Sequence, residues 1–333
     1  MSEFARELTD LIRNLAEDAG NKVDDYTGSM WAQVRELGLA GIGVPEEQGG
    51  SGGSLADLMV VIRELARAGV STPIVEASTA AYAIGAAPRE GFETIVVMPD
   101  WDVLSNAVTA SFAGVPFADT ASGLVLVTAS SVVTVPLAGE SVTVEPGHDI
   151  AGLPYGCVRL DDASVAHIPR GSAPEVIDRL ALARSAALLG SAWGAYELTR
   201  RYVTEREQFG APLIKIPAVS TTLAQMVVRI RSAQSALGRA TTACADAHTP
   251  ALRRFGAVSA ARISAATTAS LVARASHQLH GAVGITAEYG LHRYTSKLWA
   301  LRDADESQLA YCRRLGARVR SEGEIQLWEN ISA

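Results

Sequence analysis

Between residues 93 and 168 the chain breaks into short runs: TIVVM, AVTASF, GLVLVTA, SVVTVPL, ESVTVEP and GCVRLDDASV. They are rich in Val and Thr and are split by turn residues. β-branched side chains pack well on a pleated surface, so these runs predict a small antiparallel β-domain of about 75 residues. On both sides the pattern is helical. Helices, then strands, then helices is an α+β order. It divides the chain into an N-terminal helical domain (1–90), a small β-domain (91–170) and a C-terminal four-helix bundle (171–333).

In the first part, Phe4, Leu8, Leu11, Ile12 and Leu15 recur near helical spacing. A second helix is expected from Trp31 to Leu37 and a third over about 55–68, with Ser54 as its N-cap and Asp57 in its first turn. The loop GVPEEQGGSGG between them carries Gly49, Gly50, Gly52 and Gly53. A glycine-rich loop before a helix can cradle phosphate. Here no strand precedes it with dinucleotide-binding spacing and no Walker lysine follows, so it reads as a structural loop. In the last part, helices are expected over about 174–209, 216–247, 250–281 and 287–320, punctuated by Gly210, Pro250 and Gly281. Leu189, Trp193, Tyr196 and Val203 form one buried stripe. Small residues in ATTACADA (240–247) and ISAATTAS (263–270) allow close helix packing and point to a chain that works as an oligomer.

Charge is uneven. Residues 1–170 hold 9 basic and 23 acidic side chains, whereas residues 171–333 hold 20 and 13. A basic second half suits a phosphate-bearing ligand. Nucleic acid is not indicated, since there is no dense basic run interleaved with aromatics. No apolar run of about 18 residues suggests a membrane span, and the acidic, amphipathic N-terminus is not a signal peptide. Cys157, Cys244 and Cys312 show neither disulfide nor metal spacing, which fits a reducing cytoplasm.

The segment RYVTEREQFGAPLIKIPAV (201–219) gathers a guanidinium, an amide and an aromatic ring in Arg206, Gln208 and Phe209. A helix end needs only the glycine. The C-terminus is also the wrong end of the dipole for an anion, so a guanidinium fork would have to supply the charge. A second cluster, HQLHGAVGITAEYGLHRY (277–294), offers an amide at Gln278 and close backbone approach at Gly281 and Gly284. His277 and His280 read as solvated or core histidines without metal-ligand spacing.

With WAQVRELGLAGIGVPEEQGGSGGSLADLMVVIRELARAG (31–69), these two segments resemble the acyl-CoA dehydrogenase family over nearly the whole chain. The resemblance implies an acyl-CoA substrate and FAD, with electron-transfer flavoprotein as acceptor. Arg206 would bind the pyrophosphate of a neighbouring subunit's FAD with Gln208 and Phe209 beside it. Gln278, Gly281 and Ala282 would line the adenosine part, Ala282 standing where relatives usually carry a second Gly.

That family removes the α-proton with a Glu while flavin takes the β-hydride. One family position for the Glu falls in ARISAATTASLVARAS (261–276), which has no acid; Thr267 stands about there. The other falls in KLWALRDADES (297–307), where Asp305 and Glu306 are candidates without the usual Tyr or Gly-Thr. The β-domain lacks the family's Trp-Ile/Val-Thr/Ser-Asn-Gly segment, and Trp101 stands outside that context. The pattern resembles the short subunit of actinobacterial steroid side-chain dehydrogenases of α2β2 form, in which a longer subunit supplies the base. Two other readings are a self-sufficient homo-oligomer using Glu306 or Asp305, and a flavin-free scaffold or CoA-ester binder.

Overall fold

A computed structural model describes residues 3–19, 28–88, 91–98, 101, 103, 105–128, 130–168, 172–304 and 307–325. The chain forms two compact units. One comprises Met1–Val61 with Val70–Ala183, and the other Ile62–Gly69 with Arg184–Ala333.

In the first unit, α1 (Glu3–Ala19) buries Leu8 and Ile12, while α2 (Ser29–Glu36) buries Trp31 and Val34. The glycine-rich loop spends its donors on itself. Gly43 N–H reaches Gly52 O at 2.7 Å, Gly50 reaches Pro45 O at 3.1 Å, and Gly52 reaches Val44 O at 3.0 Å. A Cβ at Gly50 would lie 2.1 Å from Val44 O, so only glycine fits this closely folded loop. It is a structural loop, as its sequence indicates. Next, α3 (Leu55–Arg67) opens with a reciprocal cap: Asp57 N–H donates to Ser54 Oγ at 3.2 Å, and Ser54 N–H to Asp57 Oδ2 at 2.9 Å. Helix α4 (Ile74–Ile84) was contained only in the general helical reading of the first 85 residues; most of it is buried. Arg179, 5 % exposed, donates to Ile42 O at 2.8 Å and lies 4.4 Å from the Tyr82 ring centre. Burial lowers its pKa to about 10.

The β-region contains β1 (Glu93–Met98), β2 (Ala107–Pro116), β3 (Gly123–Thr128), β4 (Val132–Pro136), β5 (Val142–Glu145), β6 (Tyr155–Ser164) and β7 (Ala166–His167). Two sheets form, in the orders β1-β3-β4-β7 and β2-β6-β5. The pairing is not purely antiparallel, because β1 runs parallel to β3 with Glu93 opposite Gly123. Strand β2 leaves for the other sheet between them, so β3 returns in the direction of β1. Leu124 and Leu126 of one sheet share a core with Phe112, Val158 and Leu160 of the other. All six residues of β3 are buried, so it lacks the polar alternation of a half-exposed strand.

The second unit is helical. Helix α5 (Ala173–Glu205) enters it at Arg184, followed by α6 (Pro217–Ala245) and α7 (Ala251–His280). The segment expected as one helix over 287–320 is two, α8 (His292–Asp303) and α9 (Gln308–Glu322). Arg262 meets the end of α8. Only 2 % exposed, its guanidinium donates to the carbonyls of Leu301, Arg302 and Ala304 at 2.8, 3.2 and 3.4 Å. It satisfies orphan carbonyls at the end of α8. Ser307 then caps α9, accepting from Ala310 N–H at 3.3 Å.

Residues Ala251–Ile285 are long and apolar enough to cross a membrane by length and composition, contrary to the hydropathy reading of the sequence. However, 56 % of the most apolar window is buried inside the fold, as in a core helix.

Candidate functional site

The Arg206 motif does not sit on a helix turn. Helix α5 stops at Glu205, Arg206 N–H makes a last bond to Tyr202 O at 2.8 Å, and a hairpin follows. Strand β8 (Glu207–Gln208) pairs with β9 (Ala211–Pro212). Phe209 and Gly210 form the tip with φ of 55° and 83°. Two successive positive φ values suit the right-handed twist of a two-residue hairpin. Gly210 therefore turns a hairpin rather than ending the helix as its position suggested. Arg206 and Gln208 are exposed, and Phe209 is 92 % exposed. Among the described residues, no ion pair or hydrogen bond engages the Arg206 guanidinium.

The second motif begins where α7 ends. Gln278, Gly281 and Ala282 are exposed. Gly281 has φ 59° and ψ −139°, a conformation that favours glycine, with open space where a Cβ would point. Gly284 differs from its expected role: it is buried, and a Cβ there would lie 2.7 Å from His280 Cβ. Its close approach is to the protein's own histidine.

An aromatic cluster holds these two segments at one end of the bundle. The His280 ring stacks on Tyr202 with centres 4.5 Å apart, and Tyr289 lies 5.0 Å from His280 and 5.5 Å from Tyr202. Tyr202 is in the last turn of α5, one turn before Arg206. Sequence reading placed no role on Tyr202 or Tyr289, and the i,i+4 spacing of Tyr202 and Arg206 was the available signal. The core reading of His280 is correct: it is 3 % exposed, and its Nδ1 donates to Ser276 O at 2.7 Å. His277 Nε2 meets Thr295 Oγ1 at 3.0 Å.

The stretches 261–276 and 297–308 meet. Thr267 Oγ1 donates to Ile263 O at 2.8 Å and accepts from Gln308 Nε2 at 2.9 Å. Nearby, Arg302 donates to Ser270 Oγ at 3.2 Å and pairs with Asp303 at 2.6 Å. Thr267, Ser270 and Gln308 offer hydroxyls and an amide, none of which accepts a proton readily near neutral pH, and the carboxylate of Asp303 is engaged by Arg302. Asp305 and Glu306 lie outside the described residues. Trp101 is half-buried and packs against the β-core, its ring 6.2 Å from that of Phe112. Among the described residues no group of three or more His, Cys, Asp or Glu could hold a metal ion. Cys157, Cys244 and Cys312 form no disulfide.

A separate groove of about 430 Å³ lies between the C-terminal half of α6 and the N-terminal half of α7, at the other end of this helix pair. Its lining includes Arg239, Arg253, Asp246 and Thr249. Thr249 Oγ1 donates to Asp246 at 2.9 Å.

Residues 2–90 match the profile "Acyl-CoA dehydrogenase, N-terminal domain", and residues 173–302 match "Acyl-CoA dehydrogenase, C-terminal domain". The acyl-CoA dehydrogenase IpdE2 of Mycobacterium tuberculosis is 28 % identical, over 95 % of this chain and 90 % of its own length. Two solved structures share the fold. The Tcur3481-Tcur3483 steroid ACAD has a TM-score of 0.86 at 23 % identity, covering 95 % of this chain and 98 % of that one. The ChsE4-ChsE5 complex from Mycobacterium tuberculosis has a TM-score of 0.83 at 20 % identity, covering 96 % and 98 %. With both of its terminal domains matched and the helix–sheet–helix order present, this chain belongs to the acyl-CoA dehydrogenase family.

Proposed function

We propose that this chain is a subunit of an FAD-dependent acyl-CoA dehydrogenase, holding the ADP half of FAD for a longer partner that carries the catalytic Glu in an α2β2 assembly. One observation carries this reading. The exposed Arg206 and the Gln278–Ala282 turn share one end of the bundle, and the stretch of α7 that aligns with one family position for the base holds Thr267 and no acid. The residues present fit the ADP half: Arg206 supplies a guanidinium for pyrophosphate, Phe209 an apolar plane, and Gln278 a donor and acceptor for adenosine. When bound, FAD supplies a hydride acceptor for α,β-dehydrogenation of an acyl-CoA thioester. This chain's part is to bind and orient; proton abstraction belongs to the partner. The names of ChsE4-ChsE5 and the steroid ACAD support a paired assembly and a steroid-derived acyl group. Electron-transfer flavoprotein is the proposed acceptor and the cytoplasm the proposed compartment. Three exposed or half-buried cysteines outside any disulfide suit a reducing setting.

Flavin absorbance of the full chain, purified alone and with a co-expressed longer dehydrogenase, tests the reading. Flavin and turnover only with the partner are expected. Flavin and turnover in the chain alone would favour a self-sufficient homo-oligomer, and no flavin in either preparation a flavin-free scaffold.

The same assembly separates the carboxylate candidates. A true base removed costs roughly 10²–10⁴-fold in rate. Asp305→Asn and Glu306→Gln, singly and together, are expected to leave the dehydrogenation rate within a few-fold at equal flavin occupancy. A thousand-fold loss with flavin retained, on the scale of that general-base effect, would give this chain its own base.

A further inference from the structure

We propose that His280 is a positioning residue that sets the Arg206 hairpin against the Gln278–Ala282 turn, and that it does so only as a neutral imidazole. This deepens the cofactor-binding reading and rests on it for the consequence in FAD affinity.

The argument begins with the ring's two nitrogens. Ser276 O can only accept, so the Nδ1 bonded to it at 2.7 Å carries the proton. That fixes the tautomer and leaves a lone pair on Nε2. Nε2 is buried and, among the described residues, has no hydrogen-bond partner. Protonating it would bury an N–H and a charge without an acceptor, which is costly.

The surroundings offer little to stabilise that charge. From α7 comes His277, which repels it, with Nδ1 likewise buried and unpartnered. From α5 comes Tyr202; Arg201 and Glu205 act on neighbouring Tyr289 with opposite signs. From the 287–289 turn comes Tyr289. On the side of α8, Thr295 is bonded to His277. Gly284 packs against His280, where any Cβ would lie 2.7 Å from His280 Cβ. Burial, opposed by the Ser276 bond, pushes the His280 pKa below 6.5.

The sign of the linkage follows. The folded chain binds this proton less readily than the unfolded chain, so the contribution to stability is complete above about 6.5. It is lost as pH falls through the window between that value and the lower folded value. The ring joins Tyr202, one turn before Arg206, to Tyr289, beyond Ala282. Acid should therefore loosen both motifs together.

The test uses hydrogen exchange of the full chain from about pH 8 down to about pH 5, corrected for the intrinsic pH dependence of exchange. Peptides spanning 202–213 and 276–292 are followed in the wild type and in His280→Phe, which keeps a flat ring but cannot titrate. FAD affinity of the assembled complex is measured in parallel. Both segments of the wild type are expected to lose protection at one common pH. FAD affinity should fall over the same range by at most about tenfold per pH unit, the ceiling for one linked proton. His280→Phe should remove that step from both readouts. An NMR titration of the wild-type His280 ring covers the case in which this variant fails to fold; its midpoint must coincide with the loss of protection. Separate transition pH values, a non-coincident ring titration, or an unchanged pH profile in His280→Phe would overturn the proposal. Failure to bind FAD at any pH would sink the cofactor reading, while the exchange and ring data would still decide whether His280 couples the two segments.

Discussion

Replacing Arg206 by alanine is expected to strip flavin from the assembled enzyme and leave the chain folded. The fold should survive because the side chain is exposed and has no ion-pair partner among the described residues. The backbone of the hairpin does not depend on the guanidinium either: Arg206 N–H bonds to Tyr202 O, and its carbonyl accepts from Leu213 N–H at 2.8 Å. Loss of a charge-assisted contact to pyrophosphate costs on the order of 2–5 kcal/mol when one partner stays in place. That corresponds to roughly 30- to 5,000-fold in affinity. Arg206→Lys should fall between, since an ammonium keeps the charge but not the two-pronged geometry. FAD per complex, with circular dichroism as the fold control, is the measurement. Full occupancy in the alanine variant would remove Arg206 from the site.

Gly190→Ala is expected to destabilise the second unit more than its single methyl suggests. A Cβ at Gly190 would stand 2.1 Å from Arg63 O and 2.7 Å from Ala66 Cβ. Neither neighbour is the free end of a long side chain, so the end of α3 and the middle of α5 would have to part. Overpacking of this kind costs about 1–3 kcal/mol, occasionally more. Parting would also strain the Arg67–Glu197 ion pair and the Arg67 contact over Trp193 at 5.8 Å. For a unit of this size each kcal/mol moves the melting temperature by about 2–4 °C. Gly238→Ala provides the opposite case on α6. Nothing lies within 4 Å of its Cβ position, and alanine favours a helix interior by about 0.8–1.0 kcal/mol over glycine. Calorimetry should show the first variant melting lower and the second at or above the wild type. Equal melting temperatures for Gly190→Ala and the wild type would mean that the helices do not approach as closely as described.

The sequence by itself determined what depends on neighbours along the chain. The Ser54–Asp57 cap, the Val- and Thr-rich strands and the long helices follow from local pattern, and all are present. So are the three segments that mark the family. Three features were decided only in three dimensions. Strand β1 runs parallel to β3 because the strand between them joins the other sheet, a pairing choice invisible in either strand's composition. Arg206 lies beyond the helix because Phe209 and Gly210 adopt positive φ together; a glycine after a helical pattern signals equally a helix end or a hairpin tip. The final segment splits into α8 and α9 with Arg262, some forty residues upstream, holding the carbonyls at the break. Periodicity reports which face of an element is apolar. It carries no information about which distant cation will satisfy a helix end, or which rings, such as Tyr202, His280 and Tyr289, will meet. Those contacts depend on elements that approach only once the chain has folded.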